Sequence, residues 1–562
     1  MLAVGAWLGA LAHRPVPAAV LLLTAVAVVI VRRPMVAIAG VAVLATGLAA
    51  RSHAGLAPIA RGPFRGVVTL VSDPTPTTFG WRADVRVGGR RLELDAGDAA
   101  GGSLSGSLTG ERVLVDGRLA PPAPGSWWLV PRHVVGRLSA ASVERVGAGS
   151  APWRAANRFR RLLAEGASTM GDPQRSLFAG FVLGDDRDQP PEIVDDFRGA
   201  GLTHLLVVSG QNVAFVLVLV SPLTARLRWG GRWAVTLGVI SAFGVVTRFE
   251  PSVLRASAMA AVAVSAGAVG RPSGSVRTLA VAVTGLVLVD PLLVHSIGFR
   301  LSVGASLAIA VLAGRIAEVL PGPRPVAVAV GVTLAAQFGV APVLVPLAGG
   351  LPVVSLVANP LAVPVAGLVT TWGLPAGVVA GLGGPRVAAV VHAPTELLIR
   401  WTAGVARVAA SLPLGALGWA HLAALAVALA VAARPPPWRT AAIPIAALAV
   451  LAPALALRSP PAEQRLPGGT VVHRVAGATV VTVEGARPVD VLEGLRRVGV
   501  RRIDVLIAQG RGVAELESVL RHRWQVGRVV DPSVTGAVRL RTGGVQVIVV
   551  PGQPDVVQVV PG

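Results

Sequence analysis

The longest stretch without a charged side chain runs from residue 325 to residue 385, and it limits what this chain can fold into. A helix needs about 20 apolar residues to cross the hydrocarbon of a bilayer. This stretch alone therefore has room for two or three membrane-spanning helices. Prolines interrupt it between Pro342 and Pro364, as membrane helices allow when neighbouring helices satisfy the freed backbone groups. The stretch predicts a polytopic α-helical membrane protein.

The composition agrees with that prediction. The 562 residues are 53% hydrophobic and 14% charged, whereas about a quarter of a soluble domain is charged. No cysteine is present, which excludes disulfides and cysteine-ligated zinc. The net charge of +22 comes from 51 basic and 29 acidic residues, and every basic residue is arginine. Arginines that flank membrane spans account for such an excess, and contacts to nucleic-acid phosphates are the alternative.

The N-terminal third divides into three parts. Residues 1–52 hold apolar runs separated by Arg14 and Arg32-Arg33, which predict two or three transmembrane anchor helices rather than a cleaved signal peptide. Residues 61–150 contain short alternating stretches such as RADVRV and RRLELDA, which predict a soluble β-rich domain. Strands of this length could close as a small OB-like barrel. Residues 152–200 are polar and predict an amphipathic helical linker.

Two further parts follow. Residues 201–457 hold repeated apolar runs, from which we expect about nine to ten spans. Residues 462–562 alternate strand-like and helix-like stretches, which predict a soluble α/β domain.

Polar side chains interrupt the apolar segment GLTHLLVVSGQNVAFVLVLV at 201–220. They are His204, Ser209, Gln211 and Asn212, with Gly210 beside them. A polar group in hydrocarbon is costly unless it is satisfied, so such residues are candidates for function. We expect the helix to be interrupted near Ser209-Gly210 and to line a pathway, as the broken helices of transporters do. A hydrogen-bonded seam between helices is the structural alternative.

Four more polar residues lie in or near apolar runs: Arg255, Arg300, Gln337 and Asn359. Arg255 and Arg300 would hold phosphates in one interpretation, and would pair with Asp290 or Glu250 in the other. The pattern alone does not decide between the two.

The acidic segment LGDDRDQPPEIVDDF, at 183–197, precedes the first span of this block. Asp185, Asp186 and Asp188 would be ligands for a divalent cation by residue type. Their spacing matches no EF-hand loop, so we favour a solvated turn with helix-capping aspartates.

The segment FAGFVLGDDRDQPPEIVDDFRGAGLTHLLVVSGQNVAFVL, at 178–217, resembles the signature of the ComEC competence family. The resemblance continues in order through PSVLRAS (251–257), DPLLVHSIGFRLSVGAS (290–306) and LPVVSLVANPLAVP (351–364). It implies a membrane channel that imports one DNA strand, with an OB-like domain near the N-terminus and the 204–212 element near the conduit. Many members carry a histidine where this chain has Gln211-Asn212, so a role for an imidazole there is not carried over.

The C-terminal module departs further from the family. Many members end in a metallo-β-lactamase-like domain with a strand that runs into a THxHxDH motif. In RIDVLIAQGRGVAELESVL (502–520), Gln509 stands for the threonine, and Gly510, Gly512, Ala514 and Glu515 stand for the ligands. Glycine and alanine offer zinc no side-chain ligand. We therefore expect a degenerate domain with no catalytic residue, no metal ligand and no cofactor.

The resemblance implies a location in the cytoplasmic membrane, crossed several times, with both soluble domains facing outward. It also implies single-stranded DNA and membrane lipid as partners, together with a DNA receptor, a cytoplasmic ATPase or helicase, and a possible homo-oligomer. The chain has no lysine, hence no P-loop, and is not its own motor. The alternatives are a permease for another substrate, a competence-family paralogue without a role in DNA uptake and, less favoured, a membrane-bound hydrolase.

Overall fold

The computed structural model describes the whole chain except residues 32, 78–79, 208–209, 269–273, 435–438, 457–461, 467–468, 476, 486, 510–511, 532–537, 543–544, 550–556 and 562. The described residues form three N-terminal helices, a β-barrel, a large helical body and a C-terminal α/β unit.

The N-terminal helices are α1 (Leu2–Ala12), α2 (Ala18–Val31) and α3 (Pro34–Ala54). Small residues let α1 and α3 approach closely, because a Cβ at Gly9 would collide with the backbone of Ala42. Such small-residue contacts are the usual way in which membrane helices pack.

The barrel begins directly after α3. Its strands are β1 (Gly62–Leu70), β2 (Thr75–Thr77), β3 (Gly80–Val87), β4 (Arg90–Gly97), β5 (Arg112–Ala120) and β6 (Val134–Gly147). The order is β1-β5-β6-β4-β3-β2, and β1 also pairs with β3, which closes the sheet. The β4–β6 pair is parallel. Helix α4 (Asp98–Ser105) joins β4 to β5, and a 3₁₀ helix (Trp127–Arg132) precedes β6.

Alternation along the strands builds the barrel core. Val85, Leu94, Val115 and Leu138 come from four different strands and are completely buried. Every second residue of a strand points to the same face, so the alternating stretches of the sequence supply one apolar interior.

The helical body contains fourteen helices within the described residues. They are α5 (Ala151–Gly166), α6 (Asp172–Leu183), α7 (Pro191–Gly199), α8 (Thr203–Leu206), α9 (Gly210–Thr224), α10 (Trp229–Val246), α11 (Pro251–Ala268), α12 (Ser275–Val289), α13 (Ile297–Val319), α14 (Arg324–Ala348), α15 (Ser355–Gly383), α16 (Pro385–Ser411), α17 (Trp419–Ala432) and α18 (Arg439–Ala456). A two-stranded pair, β7 (Leu351–Pro352) and β8 (Ala416–Leu417), joins the α14–α15 and α16–α17 connections.

Four described helices are long and apolar enough to cross a membrane: α3, α13, α14 and α15. The uncharged run 325–385 supplies two of them, α14 and α15. Several shorter apolar helices of 10–17 residues accompany them. The number of spans expected from the sequence remains a prediction.

The segment 152–200 does not run outside the body as a linker. Leu163 of α5 and Phe178 of α6 are buried in one core with Ala362 of α15 and Ile399 of α16. The segment is helical, but its apolar faces belong to the same core as the long helices.

The C-terminal unit is an α/β layer. Its strands are β9 (Glu463–Leu466), β10 (Thr470–Val475), β11 (Ala478–Glu484), β12 (Arg502–Gln509) and β13 (Gln525–Val530), in the order β13-β12-β11-β10-β9. Helices α19 (Pro488–Arg497) and α20 (Val513–Arg523) connect the parallel strands β11, β12 and β13. A separate antiparallel sheet follows, formed by β14 (Val538–Thr542), β15 (Val545–Val549) and β16 (Val557–Pro561).

Candidate functional site

The segment predicted to be interrupted is interrupted. Helix α8 ends at Leu206, Val207 is extended with φ −117° and ψ 157°, and α9 begins at Gly210. Val208 and the candidate Ser209 lie outside the described residues. Upstream, Gly201 has φ +70°, and a Cβ there would press on the side chain of Ser355. Left-handed backbone favours glycine, so Gly201 permits the close contact between this segment and α15.

Asn212 is buried in the first turn of α9 and joins three helices. Its side-chain Nδ2 donates a hydrogen bond to the Phe181 carbonyl of α6 at 2.8 Å. The hydroxyl of Thr370 in α15 reaches the same carbonyl at 3.4 Å. Because the last carbonyls of a helix have no partner within that helix, Asn212 and Thr370 satisfy an acceptor that α6 leaves open.

A small cavity lies against this group. It has a volume of about 10 Å³ and is lined by Phe181, Gln211, Asn212, Phe215 and Thr370, among others. A single water molecule needs a cavity of about this size. The ring of Phe215 lies so close to Gly367 of α15 that a Cβ on the glycine would come within 2.6 Å of it. The helices are therefore closed against each other at this point.

Arg255 approaches the start of α9 from the neighbouring helix α11. Its Nε donates to the Ser302 hydroxyl of α13 at 2.6 Å, and Nη1 lies 3.0 Å from the Met259 sulfur. A Cβ on Gly210 would come within 2.5 Å of Nη2. A side chain at position 210 would displace the guanidinium from this place, so glycine lets Arg255 lie against the first turn of α9.

The charge of Arg255 is not balanced by an ion pair with any carboxylate in the described part of the chain. Glu250 pairs with Arg248 at 3.3 Å, and Asp290 contacts His133 at 2.9 Å. The alternative in which Arg255 or Arg300 pairs with these carboxylates is therefore wrong for the structure. A partly buried guanidinium beside the N-terminal end of a helix is a site that favours an anion.

The other predicted residues lie elsewhere. Arg300 donates to the Val294 carbonyl at 2.7 Å, in the first turn of α13. His204 is on the exposed side of α8. Gln337 of α14 is buried and donates to the Ser355 hydroxyl, and Asn359 lies one turn further along α15. The structure thus brings Gly210, Gln211, Asn212 and Arg255 together, while Gln337 meets the same segment only through Ser355 and Gly201.

The acidic segment 183–197 is a solvated turn at Asp186 and Asp188, which are exposed as the sequence predicts, but not at Asp185, which is mostly buried. Asp185 pairs with Arg187 at 2.6 Å and with Arg160 at 3.3 Å. Arg160 also reaches Asp73, in the β1–β2 connection of the barrel, through Nη1 at 3.1 Å. Arg248, between α10 and α11, pairs with the same Asp73. We call these five residues the arginine–aspartate junction.

The junction is buried and charged. The side chains of Asp73 and Arg160 are 5% and 4% exposed. Burial by itself would raise the pKa of the Asp73 carboxyl, but its hydrogen bond to Arg160 and the nearby arginine charges lower that pKa well below its usual range. Arg187 and the other arginines likewise outweigh burial and lower the pKa of Asp185. Both carboxylates are therefore charged at neutral pH, and they join the barrel to the helical body.

Backbone strain accompanies the junction. Arg248 and Phe249 have φ of +60° and +52°, a conformation that is unusual for residues with bulky side chains. The Arg248 guanidinium donates to Asp73 and to the Gly184 carbonyl, which holds the turn between α10 and α11 in place. Strained residues of this kind persist only where the surroundings determine them.

A second set of ion pairs attaches the C-terminal unit to α7. Asp195 is completely buried and accepts from Arg496 Nε at 3.1 Å and from Arg523 Nη1 at 2.7 Å. Arg523 also donates to the Ala410 carbonyl at the end of α16, at 3.0 Å. Arg198 of α7 pairs with Glu493 of α19 at 2.8 Å. We call this contact the α7 interface.

The positions aligned with the zinc motif run from Gln509, the last residue of β12, to Ala514 and Glu515 in the first turn of α20, and residues 510 and 511 between them are outside the described part. Among the described residues of the chain, no group of three or more His, Asp or Glu side chains is placed to hold a metal ion.

Sequence reasoning singled out Arg255 and the 204–212 element, but it missed Asp73, Arg160 and Asp195. Their partners are 87 residues away for Asp73–Arg160 and 328 for Asp195–Arg523, and no local pattern reports such pairing. A usable signal was Arg248-Phe249-Glu250, an isolated charged turn between two apolar runs.

These features define a mainly helical protein that combines a closed β-barrel, apolar helices long enough to cross a membrane and a polar interruption in one of its helices. Residues 181–435 match the family model described as Competence protein. The match covers a little under half of the chain, and it confirms the resemblance to the competence family that was drawn from the sequence.

Two curated relatives are similar over part of their length. The chain is 28% identical to Competence protein ComA of Neisseria gonorrhoeae over 328 residues, which cover 49% of this chain and 45% of that protein. It is 25% identical to the uncharacterized protein YcaI of Escherichia coli (strain K12) over 232 residues, 38% of this chain and 30% of that protein. The chain thus spans less than half the length of either relative. No solved structure matches it.

Proposed function

We propose that this protein is a multi-pass protein of the cytoplasmic membrane that conducts single-stranded DNA during natural transformation. The observation that carries the proposal is the position of Arg255 in a competence-family helical body. This cation has no ion-pair partner among the described residues and lies against the interruption that begins α9.

The membrane location is supported by the surface of the helical body. Leu382 on α15 and Val390 on α16 are 75% and 74% exposed. Four of the described helices have the length and apolarity to cross a bilayer. Large contiguous apolar surfaces are rare on soluble monomers, whereas lipid covers such surfaces without cost.

The barrel supports a role near nucleic acid. When the short β2 is set aside, its five remaining strands close in the order first, second, third, fifth, fourth, with the third and fifth parallel. A helix lies between the third and fourth strands. A five-stranded Greek-key barrel of this size is the OB type of architecture, which binds single strands in many proteins. We therefore propose an OB-like domain that receives the strand.

The chemistry of the conduit follows from Arg255 and its neighbours. A guanidinium offers paired N–H donors to phosphate oxygens, and the first turn of α9 adds backbone N–H groups that favour negative charge. Gln211 and Asn212 keep the adjacent wall polar. Contacts of this kind bind the sugar–phosphate backbone of DNA whatever its base sequence, as a translocation pathway requires.

The present conformation is closed, because a cavity of about 10 Å³ holds roughly one water molecule and not a nucleotide. Passage therefore requires α9 to separate from α15 beside Gly367 and Phe215. Energy for this movement would come from a partner ATPase or an ion gradient, and any nuclease step would belong to another protein.

Deletion of the gene tests the cargo. In a strain shown to be competent, we expect deletion to abolish entry of labelled DNA into the cytoplasm while DNA still binds at the cell surface. Normal entry in the deletion strain would overturn the proposal and favour a permease for another substrate or a paralogue without a role in uptake.

Arg255→Gln tests the conduit. Loss of a charge-assisted hydrogen bond costs about 1.5–3 kcal/mol, so we expect uptake to fall by roughly 10- to 100-fold. Arg255→Lys, which keeps the charge, is expected to retain much of the activity. Uptake is measured as internalised labelled strand, normalised to the amount of protein in the membrane.

Arg400→Gln is the matched control for Arg255→Gln, because Arg400 is exposed on α16 and pairs only locally with Glu396. It is expected to leave uptake unchanged. If Arg255→Gln reaches the membrane at the normal level and also leaves uptake unchanged, the assignment of Arg255 to the conduit is wrong.

A further inference from the structure

One surface loop of the barrel differs in chemistry from the rest of that domain. Residues 119–131, LAPPAPGSWWLVP, carry no charge, although the two strands that they connect, β5 and β6, each contain several charged residues. At the tip of this loop Trp127 and Trp128 are 53% and 44% exposed. We call residues 121–128 the tryptophan tip. Two large apolar rings exposed side by side on a soluble domain call for a partner surface.

The tip is a defined structure. Gly125 has φ +79°, and the Ser126 amide donates to the Ala123 carbonyl, which forms a tight turn. The following Leu129 is 2% exposed and anchors the 3₁₀ helix in the barrel. The centroids of the two indole rings are 6.1 Å apart, and the ring planes are nearly perpendicular, with an interplanar angle of 82°. The rings are therefore presented outward by an ordered support.

The support places the tip beside the ends of apolar helices. The 3₁₀ helix of the tip packs against a second 3₁₀ helix, Pro291–His295, which connects α12 to α13. His133, directly after the first of these 3₁₀ helices, contacts Asp290 at 2.9 Å. The preceding residue, Val289, is the last of α12 and is 85% exposed. The exposed Val289 at the end of α12 and the tryptophan tip therefore lie on elements that neighbour each other.

From this arrangement we infer that the tryptophan tip binds the surface of the lipid bilayer and seats the barrel on the membrane. The inference rests on the proposed membrane location. Tryptophan is enriched where hydrocarbon meets the headgroups, because its ring is apolar and its N–H can still reach a polar partner. The prolines and the absence of charge let the loop enter this layer without burying an ion.

Base stacking is the competing use of exposed tryptophans, and the surroundings do not favour it. A single-strand platform combines aromatic rings with a basic groove. The arginine that follows the tip, Arg132, is occupied by Asp84 through Nε at 2.9 Å and by Glu93 at 3.1 Å. Its charge is balanced within the barrel, so Arg132 is not available to hold a phosphate beside the tip.

The experiment uses the natural absence of cysteine. The full-length protein carrying Ala123→Cys is labelled with an environment-sensitive fluorophore and reconstituted into vesicles that contain lipids with a shallow nitroxide quencher. The matched control is Ala141→Cys, also at an exposed alanine of the barrel but in mid-strand. Leu307→Cys, at an exposed position of α13, reports whether the helices themselves are in lipid.

We expect quenching at position 123 to exceed that at position 141 by at least about twofold, because interfacial tryptophans place the tip among the headgroups. Replacing Trp127 and Trp128 together by Ser is expected to remove this difference. Equal quenching at 123 and 141, with strong quenching at 307, would overturn the inference while leaving the membrane location intact. Weak quenching at all three positions would overturn both.

A DNA platform would give a different result. In that case oligothymidine, and not the lipid quencher, would change the emission of the label at position 123. That outcome would replace lipid by nucleic acid as the partner of the tip.

Discussion

Asp73→Ala is expected to destabilise the protein by about 3–5 kcal/mol, the usual cost of removing one partner from a buried ion pair. The substitution would leave Arg160 and Arg248 without the carboxylate that both of them contact. Two guanidinium groups would then face each other in a buried space. The loss is measured as a shift of the thermal unfolding curve of the purified protein in detergent.

The same carboxylate predicts a dependence on pH. Its folded pKa lies well below the value in the unfolded chain because of Arg160 and its neighbours, and the unfolded value is about 3.9. A depressed pKa stabilises the folded state fully above that value and progressively less as the pH falls. The difference in stability between the parent protein and Asp73→Asn should therefore be largest near neutral pH and shrink in acid.

Asp172→Asn supplies the control for both measurements, because Asp172 also pairs with an arginine but is 83% exposed. Exposed pairs contribute about 0–1 kcal/mol. Equal effects of Asp73→Ala and Asp172→Asn would contradict the buried junction, and a pH-independent difference for Asp73→Asn would contradict its charged state.

Asp195→Asn is expected to loosen the C-terminal unit from the helical body. Asp195 is the completely buried acceptor of both Arg496 and Arg523, and a neutral amide offers these two cations neither charge nor two acceptor oxygens. We expect a loss of about 3–5 kcal/mol from the contact. The readout is the distance between spin labels on Ser411→Cys in the helical body and Glu515→Cys on α20.

In the parent protein this distance should have a narrow distribution, which Asp195→Asn should broaden and lengthen. Asp490→Asn is the control within the same interface, since Asp490 is 35% exposed and lies 3.8 Å from Arg198. It should leave the distribution narrow. If Asp195→Asn also leaves it narrow, the buried carboxylate does not hold the unit in place.

The sequence predicts the elements of this protein better than it predicts their assembly. Alternation across RADVRV and RRLELDA is a local property, and it is sufficient to indicate β3 and β4. The run 325–385 likewise indicates helices, because lipid-facing residues need not alternate. Closure of the barrel depends on pairing β1 with both β3 and β5, and no single stretch contains that information.

The candidate site also combines features that a local pattern reveals with contacts that only the fold reveals. Gly210, Gln211 and Asn212 stand out because they are polar or flexible in an apolar segment, and that signal is local. The contact of Gly210 with Arg255 brings together residues 45 positions apart in sequence, so only the fold reveals it. The pairing of Asp185 with Arg160 was missed for the same reason, and it places one aspartate of an otherwise exposed turn in a buried junction.

The junction also has a consequence for the sidedness of the chain. The barrel contacts the α10–α11 turn through Arg248 and the α12–α13 connection through Asp290. It reaches the α6–α7 connection through Arg160 of α5, which pairs with both Asp73 and Asp185. In the proposed membrane these contacts have a common requirement. All three connections must then lie on one side of the bilayer. If the shorter helices α9 to α12 also span the proposed membrane, we expect them to do so in pairs, α9 with α10 and α11 with α12, because each pair begins and ends at a contact with the barrel.

The β7–β8 pair holds the connection before α15 next to the connection after α16. In the proposed membrane these two connections would therefore lie on the same side. The C-terminal unit contacts α7 and the end of α16, so in the proposed membrane we expect it on the same side as the barrel. On the proposed membrane location we therefore expect both folded domains to face a single compartment, so that a strand that reaches one of them would arrive at the side where the other is attached.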